Sequence, residues 1–65
     1  MVIIKKIHHR GNFRIGLYFG FDENLKTKAR SIGATWSQTH KCWHVLYNKS
    51  NYNLILCTFG EVEIV

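Results

Sequence analysis

From Phe13 to Phe19 the chain alternates: Phe13, Ile15, Leu17 and Phe19 fall on one face, and Arg14, Gly16 and Tyr18 on the other. That period of two predicts a strand. Upstream, Val2 to His9 is rich in β-branched residues (Val2, Ile3, Ile4, Ile7), with Lys5 and Lys6 inserted. Arg10-Gly11-Asn12 separates the two runs, and Gly and Asn tolerate the positive φ that hairpin loops demand. Loop length then fixes which faces match. A two-residue turn at Arg10-Gly11 pairs Ile7 with Arg14 and Lys6 with Ile15, mixing apolar and charged residues. A three-residue loop pairs Ile7 with Ile15 and Ile3 with Phe19. Because one face must be buried, and register follows from that requirement, the three-residue loop is predicted. It gathers Lys6, His8, Arg14 and Tyr18 on the opposite face and leaves Lys5 to snorkel from an edge.

After Phe21 the period changes. Asp22 is suited to cap a helix and Glu23 complements its dipole. Leu25, Ala29 and Ile32 form one apolar stripe, with Lys26, Lys28 and Arg30 off it, and Gly33 stands at the C′ position. A hairpin follows, with Trp36 on one strand, Trp43 on the next, and Ser37 to Lys41 turning between them. Asn48 or Ser50 caps a second helix with the stripe Tyr52, Ile55, Leu56 and Phe59, and Gly60 stops it. Glu61 to Val65 alternates as a short strand or begins a linker. The expected class is α+β: a small antiparallel sheet in β-β-α-β-β-α order, with a fifth strand if the last segment pairs. Both helices lie on one face, leaving the other in water. That open face is expected to carry Lys6, His8, Arg14, Tyr18 and His44.

At 65 residues the chain is expected to be a single domain over 1–65, itself a piece of a longer protein. A domain this size buries only about 60% of its unfolded surface. Trp36 and Trp43 are therefore assigned to the core rather than to stacking platforms for bases. Hydrophobic content of 46% is that of a globular chain.

Charge adds a direction. Nine Lys+Arg stand against four Asp+Glu, a net +5. The acids are confined to Asp22-Glu23 and to Glu61 and Glu63, so the rest of the chain is purely basic among its charged residues. Such a surplus suits a polyanion, most often nucleic acid, though ordinary solubility charge gives the same total. Two cysteines, Cys42 and Cys57, make no disulfide framework, no signal peptide is evident, and no apolar run approaches the ~20 residues of a membrane span. A reduced, intracellular setting without membrane association is expected.

The candidate nucleic-acid contacts are Lys6, Arg14 and Lys41, with Arg10 and His40 at the two turns and His8, Tyr18 and His44 on the sheet. Arginine reads guanine edges bidentately in the major groove, whereas lysines hold phosphates. Lys26, Lys28 and Arg30 read as plain helix surface. His40-x-Cys42-x-His44 invites a metal, but zinc sites usually need four ligands in two separated pairs, and Cys57 falls on the second helix. No metal or other cofactor is expected. There is no serine–histidine–acid set, carboxylate pair or phosphate-cradling glycine loop, so neither catalysis nor a small-molecule substrate is expected. Strand edges at Val2–Ile7 and Glu61–Val65 offer a protein-interaction alternative, including self-association.

The central stretch carries a resemblance. Ile32-Gly33-Ala34-Thr35-Trp36-Ser37, then Lys41-Cys42-Trp43-His44-Val45-Leu46-Tyr47, resembles the N-terminal arm-type DNA-binding region of tyrosine recombinases, the phage and transposon integrases of Bacteroides-like bacteria. Ile15-Gly16-Leu17-Tyr18-Phe19-Gly20-Phe21-Asp22 is similar to the strand and helix start of that region. Gly20-Phe21 replaces the family's Pro-Tyr, and Leu46 stands where proline is frequent. The likeness spans roughly residues 13 to 59. It implies a non-catalytic domain that lays its sheet on duplex DNA at arm sites, in a bacterial cytoplasm and associated with the nucleoid. A separate domain would perform strand exchange. The order and the Lys-x-Trp motif also resemble the HARP-type domains of DNA-annealing helicases.

Overall fold

The computed structural model describes residues 2–65. Its elements are β1 (Val2–His9), β2 (Asn12–Tyr18), α1 (Glu23–Ser31), β3 (Thr35–Ser37), β4 (Cys42–Leu46), α2 (Lys49–Phe59) and β5 (Val62–Ile64). The α+β order is the expected one, and the last segment does form a fifth strand. The sheet runs β3-β4-β2-β1-β5. Its first four strands pair antiparallel, whereas β5 runs parallel to β1, so the sheet is mixed. Parallel pairing needs a long crossover, and α2 supplies it by returning the chain past β2 and β1. Because β5 pairs along Val2–Ile4, that part of β1 is interior and not the free edge expected of it.

Local chemistry sets the helix ends. The Asp22 carboxylate accepts from the amides of Asn24 (2.9 Å) and Leu25 (3.3 Å). Asn48, rather than Ser50, caps α2 by accepting from the Asn51 amide at 2.7 Å. Gly33 and Gly60 follow the helices with φ of 80° and 75°, a region in which other residues are strained. Val2, Ile4, Ile15, Leu17 and Val45 meet Ala29 of α1 and Ile55 of α2 in one cluster, which puts both helices on the same face.

The first hairpin departs from the expected register. Ile7 pairs with Arg14 and Lys6 with Ile15 across a two-residue turn. Arg10 (φ 51°) and Gly11 (φ 79°) both lie left-handed, as a type I′ turn requires. Such turns match the right-handed twist of the flanking strands, and here that outweighs the pairing of like with like. Lys6 and His8 consequently share the helix-side face with Phe13, Ile15 and Leu17. Lys5, Ile7 and His9 join Arg14, Gly16 and Tyr18 on the other. Lys6 survives at the rim by placing its ammonium 4.3 Å from the Phe13 ring centre and 5.0 Å from that of Tyr47.

The face away from the helices is not simply wet. Ile7, Ser37, Cys42 and His44 are all buried there. The His40 ring, in the β3–β4 loop, lies 3.0 Å from the backbone carbonyl oxygen of His8, 32 residues away. These groups belong to opposite ends of strands that β2 separates, so the sheet coils until two diagonal corners meet. Gly16 lies at the floor of the concavity. A Cβ there would stand 3.0 Å from Tyr18 Cε1 and 3.4 Å from both Cys42 Sγ and Ile7 Cδ1.

Trp36 also departs from expectation. Trp43 packs against the core, but Trp36 remains 46% exposed. It sits on a three-residue edge strand with a neighbour on one side only.

Candidate nucleic-acid interface

The coil of the sheet joins two loops that the sequence keeps apart. The β1–β2 turn supplies Arg10, flanked by His9 and, from β2, Arg14. The β3–β4 loop supplies His40 and Lys41, and β4 supplies His44. Ring centres of His9 and His44 are 4.8 Å apart, and those of His9 and His40 5.7 Å. His40 is held at both ends: its amide donates to Ser37 Oγ (3.1 Å) and its ring meets the His8 carbonyl.

This cluster is electrostatically one-sided. Burial pushes the His44 imidazole below its ordinary pKa, and the nearby His9, Arg14 and His40 push in the same direction. His9 is lowered too, by desolvation first and then by Arg10, His40 and Arg14. Arg14 Nε and His44 Nδ1 are buried without a hydrogen-bond partner. Every charge acting on these imidazoles is positive, so their protonated forms are disfavoured until an anion approaches.

Of the sequence-predicted contacts, the structure brings together Arg10, Arg14, His40 and His44, with Lys41 next in the chain. His44, at 5% exposure, lies beneath this rim rather than at its surface. His8 contributes only its carbonyl, because the corrected register turns its ring to the helix side, edge-on to Phe13 at 5.3 Å. Lys6 is on that side as well, away from the cluster. Tyr18 lies at the far end of β2 against Cys42; desolvation first, and then that contact, raise the pKa of its phenol. Burial likewise raises the pKa of the Cys42 thiol, which disfavours the thiolate. The pair His8-His9 reads from the sequence as sheet edge and turn, with a pH-dependent contribution to DNA binding open to it. The two-residue turn carries His9 alone, in the alternation Lys5, Ile7, His9, into the cluster.

A second feature lies between α1 and the β3–β4 hairpin. It is a groove of about 550 Å³ whose lining includes Phe21, Trp36, Trp43, Lys26, Arg30 and Lys41. Lys26 and Arg30, read from the sequence as plain helix surface, are four residues apart and share one face of α1. Among the described residues, no three histidine, cysteine or acidic side chains are placed to hold a metal ion. No helix among the described residues is long and apolar enough to cross a membrane. No protein-family model matches the chain, and neither a curated protein nor a solved structure matches it.

Proposed function

We propose that this chain is a non-catalytic nucleic-acid-binding domain with duplex DNA as its partner. The carrying observation is the convergence of Arg10, Arg14, His9 and His40, with Lys41 adjoining, on one rim, where desolvation and then positive neighbours disfavour the protonated forms of His9 and of His44 beneath it. A cluster of like charge concentrates positive potential, and phosphates both neutralise it and gain hydrogen bonds from it. The element order and the aromatic hairpin are consistent with the resemblance to the arm-type region of tyrosine recombinases. In that reading the domain holds accessory sites for a bacterial, nucleoid-associated integrase. It differs from the sheet-on-DNA picture in one respect. The contact runs along the rim where the two loops meet, because the concave face is filled by its own side chains.

Titration of labelled duplex DNA, followed by backbone amide shifts, tests this. Shifts are expected at residues 9–14 and 40–41, with affinity falling steeply as salt rises because neutralised phosphates release counterions. Arg10→Asn keeps a residue that tolerates the left-handed turn and should reduce the salt slope by about one phosphate equivalent. Absence of shifts at low salt would overturn the function.

A further inference from the structure

Trp36 is the largest apolar side chain this small domain leaves half in water, and Phe21 beside it is fully exposed. The indole is nevertheless fixed. Its Nε1 donates to Gln38 Oε1 at 2.8 Å, and its ring meets Trp43 edge-to-face with centres 5.7 Å apart. Arg30 lies over Trp43, with its guanidinium carbon 5.9 Å from the ring centre. Lys26 and Lys41 line the same groove, as do the acidic Asp22 and Glu23. The volume, about 550 Å³, is within the ~300–1,000 Å³ of ligand sites.

We infer that this groove takes an unpaired nucleobase, stacked on Trp36, with its phosphate against Arg30, Lys26 and Lys41. An aliphatic peptide would satisfy the rings and leave the cations idle, whereas a bare anion would do the reverse. A nucleotide carries both a planar π-face and a negative charge, the combination single-strand sites are built to hold. The indole N–H is already engaged, so Trp36 offers its face and recognises stacking rather than base identity. Continuity with the cationic rim supports the assignment: His40 belongs to the rim and the next residue, Lys41, to the groove. The inference rests on the nucleic-acid function above and adds capture of a frayed or single-stranded end.

The test compares a blunt duplex with the same duplex carrying a short unpaired pyrimidine tail, using the whole chain. Binding is followed by anisotropy of labelled DNA and by tryptophan emission, since both tryptophans of the chain line the groove. The tailed DNA should bind roughly ten-fold more tightly and quench the emission. Trp36→Ala should weaken binding to the tailed DNA by up to roughly ten-fold, to the level of the blunt duplex, and leave the blunt duplex unaffected. Trp36→Phe should keep most of the gain. If Trp36→Ala fails to fold, Phe21→Ala, altering a wholly exposed ring, should lower the tail's advantage in the same direction. Equal binding of tailed and blunt DNA would overturn the groove assignment and leave the function standing, while binding to neither would remove both. Quenching that depends on protein concentration alone would assign the groove to a second copy and overturn the inference.

Discussion

Ile7→Ala asks whether the face turned away from the helices is a core in its own right. Ile7 is 7% exposed, and its Cδ1 reaches to 3.4 Å from where a Cβ on Gly16 would stand. The substitution removes three buried carbons, at about 0.8 kcal/mol each a transfer loss of roughly 2.4 kcal/mol. A cavity contribution is added wherever the walls fail to close. Gly16 has no side chain with which to fill the space, so a total near 3 kcal/mol is expected. A domain of this length has about 3–10 kcal/mol to lose. With a urea dependence near 1 kcal/mol per molar, the unfolding midpoint should drop by about 3 M at unchanged slope. Circular dichroism across a urea series measures it. Gly16→Ala supplies a cross-check. It overpacks the same space at a cost of about 1–3 kcal/mol, and paired with Ile7→Ala it should cost less than the two losses added. A midpoint shift below about 1 M for Ile7→Ala would show a flat, hydrated face and refute the coiled sheet.

The histidine cluster predicts acid sensitivity. The folded-state pKa of His44 lies below its ordinary value, so the unfolded chain takes up the proton first as pH falls. Its contribution is complete above about pH 6.5 and is lost as pH drops through the folded pKa. Thermal melts from pH 7.5 to 5 should show a falling midpoint that His44→Leu flattens, and an unchanged dependence in that variant would assign the effect elsewhere. For the helix starts, Asp22→Ala and Asn48→Ala should each destabilise by about 1 kcal/mol in urea titrations, because each leaves amides without an acceptor. Asp22→Asn, which retains a capping oxygen, should recover most of the loss.

The sequence by itself determined what depends on near neighbours. Asp22 and Asn48 cap the helices through amides two or three residues away, Gly33 and Gly60 end them through their own φ, and the stripes of Leu25-Ala29 and Tyr52-Ile55 chose the buried side. Element order and class followed. The segregation of acids from bases was equally legible, and with it the expectation of a polyanionic partner. Only the tertiary structure decided the register of the first hairpin. Alternation selects the three-residue-loop register only where one face alone is buried, and Ile7, Cys42 and His44 show that both are. The coil behind that burial is set by twist accumulated over several strands, and its signature contact joins His8 to His40 across 32 residues. The register turned Lys6 and His8 to the helix side and put His9 on the other face, and the coil then brought His9 to the rim and left His44 beneath the surface. Trp36 stayed outside the core because its strand became an edge. Composition states that a tryptophan should be buried, but only the packing of neighbours determines whether anything covers it.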